Sequence, residues 1–168
     1  QEIKDCLEMS YGLWTNRMHS PEDALLWLKE KKTPGERTAF AHPSFNFDSA
    51  AGLIYTVDVT KPSGEKVTIL RMADGSPFDL NKRYKVAVNS YRGNGGGELL
   101  TKGAGIPQEE LKDRILFATD KDLRFYLMQY IEKKGKVDAQ PLNQWKMVPE
   151  EWTVPAAKRE AESLFLRD

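Results

Sequence analysis

The chain has 168 residues, 40% of them hydrophobic, enough to bury a core, and it reads as a single domain over 1–168. Its 25 basic and 25 acidic side chains cancel, and no long basic stripe appears, so neither a nucleic acid polymer nor an anionic membrane is the expected partner. Cys6 is the only cysteine, which excludes an internal disulfide, and no apolar stretch approaches the ~18 residues of a membrane span.

In chain order, Ile3, Cys6, Leu7, Ser10, Tyr11 and Trp14 recur at three- and four-residue steps. That spacing predicts an amphipathic helix from residue 2 to about 16, with Cys6 as an inert core thiol on its apolar face. The helix has no capping residue and the chain no initiator Met or signal peptide, so the segment is expected to be cut from a longer polypeptide. Ser20-Pro21-Glu22-Asp23 offers a cap, a first-turn proline and first-turn acids, and with Leu25, Leu26 and Leu28 behind it predicts a second, short helix. Residues 31 to 46, with Pro34, Gly35 and Pro43, read as a loop.

Leu53, Tyr55, Val57 and Val59 alternate with Thr56 and Asp58, which predicts a half-buried strand from Leu53 to Thr60. Lys61-Pro62-Ser63-Gly64-Glu65 turns the chain, and Lys66 to Met72 returns as its hairpin partner, closing at Asp74-Gly75. A third strand is expected over 84 to 91. Further on, the sequence predicts a short helix from Pro107, a strand at Arg114-Ile115-Leu116-Phe117, and a helix capped by Asp120 that carries Leu123, Leu127, Tyr130 and Ile131 and stops at Gly135. Pro141, Pro149 and Pro155 break the next stretch, and Ala156 to Leu166 reads as a charged closing helix. The fold class is α/β of the α+β-like kind, a mixed sheet layered with helices.

The run Asn89-Ser90-Tyr91-Arg92-Gly93-Asn94-Gly95-Gly96-Gly97 carries the chemistry. Its glycines let a ligand approach bare backbone, and Tyr91 adds a flat face with a phenolic hydroxyl, a combination suited to a planar, polar ligand such as a nucleobase. The alternative is an aromatic that merely caps the core. No Gly-Lys-Ser/Thr follows and the dinucleotide spacing is missing, so phosphate cradling is not its expected task. Arg92 reads equally as a phosphate holder or as a solvent-exposed side chain. In Phe45-Asn46-Phe47-Asp48, Phe45 reads as a hydrophobic plug, and Trp14, Trp27 and Trp145 as core or interface anchors.

Catalytic chemistry finds little support. His19 and His42 are the only histidines and lack metal-ligand spacing, Cys6 has no histidine base on its helix, and Glu109-Glu110 and Glu150-Glu151 read as solvated helix-start charges. No catalytic residue and no metal ligand is therefore assigned within the chain.

Ile3 to Ser10, Phe47 to Gly52 followed by Ile54 to Val59, and Tyr84 to Gly97 together resemble the C-terminal domain of the 5′-nucleotidase family, in order and spacing across roughly residues 1 to 150, with 151–168 as an extension. Asn89-Ser90-Tyr91-Arg92-Gly93, Phe45-Asn46-Phe47-Asp48, Asp120 to Arg124, Tyr130-Ile131 and Asn143-Gln144-Trp145 are most similar to the branch of periplasmic 2′,3′-cyclic-nucleotide phosphodiesterases with 3′-nucleotidase activity. The resemblance implies an N-terminal metallophosphoesterase domain, outside this segment, that holds two divalent metal ions and hydrolyses phosphate esters. This segment would then need no cofactor and hydrolyse nothing by itself.

By the same resemblance the C-terminal domain grips a nucleoside or nucleotide between aromatic rings, and domain rotation carries it to the metals. Tyr91 falls on one of those rings, with Phe47, Asp48, Asn94, Gly95 and Gly96 as further pocket residues; the second ring and the phosphate-binding arginines lie upstream. In 5′-nucleotidases proper an Asp that touches the ribose follows the paired glycines, where this chain has Gly97. The family's export implies a periplasmic or cell-surface location. The alternative is a non-catalytic module of the same fold that recognises a sugar or a protein partner through its tryptophans.

Overall fold

In a computed structural model, which describes residues 1–33 and 35–165, the amphipathic N-terminal segment forms α1 (Glu2–Trp14). Pro34 and Leu166 lie outside the described residues. The apolar spacing gathers Leu7, Tyr11 and Trp14 on one buried face. Glu8, on the same helix, uses its carboxylate on the backbone of another element: its oxygens accept the N–H groups of Lys66 and Val67 at 2.9 and 2.7 Å. A buried carboxylate is tolerable here because three donors surround it, counting Lys4 at 3.1 Å on one oxygen.

The hairpin forms as its alternation and turn residues predict. β1 (Leu53–Asp58) turns Leu53, Tyr55 and Val57 inward, and β2 (Val67–Met72) pairs with it antiparallel, with an irregularity between Ile54 and Tyr55. On the other side of β1, β3 (Trp145–Val148) pairs in parallel, Tyr55 opposite Trp145 and Val57 opposite Met147. The result is a mixed sheet of order β2-β1-β3 covered by α1, the α/β architecture expected. Its core is Leu7 and Tyr11 against Leu53, Tyr55, Val57 and Val67. The Tyr11 and Tyr55 hydroxyls meet at 3.0 Å inside it, and burial raises the pKa of both phenols.

Several expected elements are replaced, either because another set of contacts captures the segment or because no strand lies alongside it. Residues 20 to 28 form no helix. The Asp23 carboxylate folds back onto the N–H groups of His19 and Ser20, at 2.6 and 3.1 Å, and closes a turn instead. The leucines then run extended: Leu26 bridges Thr15, Leu28 bridges Phe40, and Leu25 is buried. Residues 84 to 89 make no strand among the described residues, and Val86 and Val88 are exposed. Arg114 to Phe117 likewise has no ladder partner, and Ile115, Leu116 and Phe117 face solvent.

Short 3-10 turns occupy Gln108–Glu110 and Lys112–Arg114 where a helix was expected from Pro107. α2 (Ser90–Gly93) is a single turn, treated below. In α3 (Leu123–Lys134) the cap is Asp122, whose carboxylate accepts the Phe125 N–H at 3.0 Å, rather than Asp120; Gly135 ends it at φ 70°. α4 (Glu150–Phe165) starts earlier than expected and carries Pro155 in its first turns. Among the described residues no helix is long and apolar enough to cross a membrane.

α4 is fastened by one acid. Glu160, 8% exposed, accepts the Leu25 and Leu26 N–H groups at 2.6 and 2.7 Å, below a small core of Met18, Leu25, Val59 and Ala156. Removing it orphans two buried donors, so Glu160→Ala is expected to cost about 2–4 kcal/mol in urea unfolding. The Cys6 thiol donates to the Leu99 carbonyl at 3.1 Å, and burial, reinforced by Asp5 and Glu2, pushes its pKa up to about 11. At pH 8 its thiolate is then roughly 100-fold scarcer than in an unperturbed cysteine, and alkylation by iodoacetamide should be slower by a similar factor.

Candidate functional site

Asn89 decides how the glycine-rich run begins. Its side-chain oxygen accepts the Arg92 N–H at 2.8 Å, an N-cap that coils Ser90 to Gly93 into α2, where the strand expected over 84 to 91 would have ended. One helical step apart, Tyr91 and Arg92 face opposite surroundings: Tyr91 is 47% exposed and Arg92 only 3%.

Arg92 is neither a phosphate holder nor a solvated side chain. All its guanidinium donors end on protein. Nε and Nη2 grip the two Asp48 oxygens at 2.6 and 3.0 Å, Nη2 also reaches the Phe45 carbonyl at 3.1 Å, and Nη1 reaches the Gly96 carbonyl at 3.0 Å and Asn46 Oδ1 at 3.3 Å. A planar fork with five donors suits such a cage, which a lysine could not fill. Asp48 is held in turn by α1, because its N–H and carbonyl both bond Ser10 Oγ, at 2.9 and 2.8 Å.

The glycines follow from this packing. A Cβ on Gly96 would lie 2.4 Å from the Tyr91 ring, and one on Gly97, at φ 70°, would lie 1.9 Å from Arg92 Nη1. Gly97 is where 5′-nucleotidases proper carry the ribose-contacting Asp, and here the guanidinium fills the space such a side chain would need. Tyr91 donates its hydroxyl to Asn46 Oδ1 at 3.1 Å, lies 5.3 Å from the Arg92 guanidinium carbon, and meets Phe45 edge-to-face at 6.5 Å and 76°.

The sequence-derived candidates therefore separate. Tyr91 and Gly96 come together as a ring on its seat. Gly95 stands beside them at φ 88°, and Asn94 is exposed with its amide donating to the Ser90 carbonyl at 2.8 Å. The Asp48 carboxylate is taken up by Arg92. Phe47 stands in the core, edge-to-face with Tyr11 at 5.2 Å and with Trp14 at 5.7 Å.

The expected plug and the exposed ring have thus changed places: Phe45 is 71% exposed and Phe47 seals the core. Trp27 is 47% exposed, whereas Trp14 is buried and Trp145 stacks on Tyr55. Sequence reasoning passed over Asn46 and Arg92 as a joint because 46 residues separate them. Its only trace was the alternation of aromatic and short polar residues over 45–48.

Tyr91 lines neither of two shallow hollows, one of about 350 Å3 at Asp5, Met9, Ser63 and Lys102, the other of about 420 Å3 at Ala50, Leu142 and Trp145. It is an open platform with one aromatic flank. Among the described residues no group of three or more His, Cys, Asp or Glu could hold a metal ion.

Comparison with known proteins agrees with the sequence resemblance. The family described as 5′-nucleotidase, C-terminal domain, matches residues 1–102. The chain is 28% identical over 159 residues to the trifunctional nucleotide phosphoesterase protein YfkN of Bacillus subtilis, covering 88% of this chain and 10% of that protein. It is 29% identical over 167 residues to the 2′,3′-cyclic-nucleotide 2′-phosphodiesterase/3′-nucleotidase of Salmonella typhimurium, covering 89% of this chain and 23% of that protein. The protein of that name from Haemophilus influenzae is 26% identical, with 89% and 22% covered. The chain thus spans between a tenth and a quarter of the length of these relatives. No solved structure matches it significantly.

Because Arg92 occupies the space beside Gly97, Gly97→Asp is expected to break the guanidinium cage rather than create a ribose contact. It should lower stability by about 1–3 kcal/mol in urea unfolding and bring no gain in nucleoside affinity.

Proposed function

Because the chain belongs to the family of 5′-nucleotidase C-terminal domains, we propose that it is the substrate-recognition part of a nucleotide phosphohydrolase, with the base of a nucleoside or nucleotide stacked on Tyr91. The observation that carries this reading is a half-exposed phenol ring held in place by Gly96, Asn46 and Arg92. A rigid, exposed aromatic face next to bare glycine backbone serves a flat heterocycle and offers no means of cleaving a bond. On this reading hydrolysis belongs to a separate N-terminal metallophosphoesterase domain with two divalent metal ions, and the chain contributes orientation and substrate choice as one domain.

The activities for which the Salmonella typhimurium and Haemophilus influenzae relatives are named favour cyclic and 3′-nucleotides over 5′-monophosphates as substrates, and so does the lack of room for an Asp at position 97. A periplasmic or cell-surface location belongs to the same proposal. The exposed Trp27 favours the rival reading, a binding module without catalytic function. The parent gene separates the two: Asp-x-His and Gly-Asn-His-Asp/Glu motifs upstream accompany the enzyme, and their absence the module.

A stacked base contributes about 1–3 kcal/mol, below the roughly 4 kcal/mol of a millimolar complex, so the platform needs a second wall to bind tightly. In the intact protein, Tyr91→Ala is expected to weaken adenosine and 3′-AMP about 5- to 150-fold by calorimetric titration, and Tyr91→Phe much less. Unchanged affinity in Tyr91→Ala removes the ring from the site.

A further inference from the structure

We propose that Phe45 and Asn46 complete the base site, Phe45 as a flanking aromatic wall and Asn46 as the side chain that selects a base by donating a hydrogen bond to an acceptor on its rim. The proposal rests on the Tyr91 reading and deepens it. It begins with the orientation of one amide.

Arginine has donors only, so the Asn46 atom 3.3 Å from Arg92 Nη1 has to be the oxygen. The same oxygen takes the Tyr91 hydroxyl at 3.1 Å. With Oδ1 fixed by two donors, Nδ2 is the other end of the half-buried amide, and among the described residues no protein group accepts from it. Two N–H donors are thereby left at the phenolic end of an exposed ring. A heterocycle lying on that ring can turn an unprotonated ring nitrogen or a carbonyl oxygen to this edge, and these are acceptors. A plain hydrocarbon ring would leave the donors unmet and be disfavoured.

Phe45 supplies the second side. It sits in the 3-10 turn Ser44–Asn46, its carbonyl is anchored by Arg92 Nη2 at 3.1 Å, and its ring stands at 76° to Tyr91. Being 71% exposed, it does not serve the core. The two rings and the amide form a corner that meets one face, one edge and one rim acceptor of a base. Arg92 is the positioning residue of this corner, since it alone bonds the 45–46 segment and the Gly96 carbonyl beneath Tyr91.

The test uses adenosine, which is uncharged, with 7-deazaadenosine and 3-deazaadenosine, each lacking one rim acceptor, titrated against the intact protein. Asn46→Asp keeps an oxygen for Arg92 and Tyr91 while replacing the donor with an acceptor, so its thermal midpoint should match or exceed that of the wild type. Its adenosine affinity should fall about tenfold, and the wild-type preference for adenosine over one deaza analogue should disappear. Phe45→Ala should leave the thermal midpoint unchanged and weaken all three ligands several-fold.

If Tyr91→Ala weakens adenosine while Asn46→Asp and Phe45→Ala bind it as the wild type does, the corner is overturned and the Tyr91 site stands. If Tyr91→Ala is also without effect, both readings fall. Equal wild-type affinity for adenosine and both deaza analogues, together with unchanged adenosine affinity in Asn46→Asp, overturns the role given to Asn46.

Discussion

A buried guanidinium needs all its donors met, and Arg92 meets them by drawing two distant stretches of chain together. Asp48, Asn46 and the Phe45 carbonyl come from one side, and the Gly96 carbonyl from the other. Because Asp48 is tied through Ser10 to α1, the cage is referenced to the core rather than floating on a loop. Leaving such a group unpaired costs on the order of 3 kcal/mol, so the arrangement is close to all-or-none. The exposed rings gain their fixed geometry from this charge beneath them.

Buried charge plays the same part elsewhere. Glu8 binds the backbone at the start of β2, Glu160 binds the backbone at Leu25 and Leu26, and Lys66 donates to the Thr15 carbonyl, Thr15 Oγ1 and the Asn16 carbonyl at 3.0, 2.9 and 2.7 Å. Burial lowers the Lys66 pKa to about 8, the cost of placing an ammonium there. In each case a charged side chain satisfies main-chain groups at the end of an element or in a segment outside the sheet. A small sheet with irregular connections is thereby held in a single arrangement. The recognition role proposed for the chain would need that rigidity, since any ordering left until ligand arrives would subtract from the modest energy of stacking.

The departure at Gly97 gains a physical reason in this light. A side chain at that position and a buried Arg92 compete for the same volume, so the chain has the clamp in place of the ribose-contacting acid. On the proposed reading, the exchange would shift selectivity from the sugar hydroxyls toward the base, beside which Tyr91, Phe45 and Asn46 are displayed.

Local chemistry alone determined α1, the hairpin of β1 and β2, the stop at Gly135 and the exposure of an aromatic beside glycines, because helical and strand periodicities and turn residues act over a few neighbours. Tertiary structure decided what depends on remote partners. The leucines after Asp23 became bridges because Thr15, Phe40 and Glu160 met them, and the alternation at 84–88 made no strand because no described segment lies alongside it. β3 exists through parallel pairing with residues some 90 positions earlier. The exchange of roles between Phe45 and Phe47, and the burial of Arg92, were equally illegible in sequence: which ring faces the core depends on an ion pair spanning 44 residues, and no periodicity records a contact of that range.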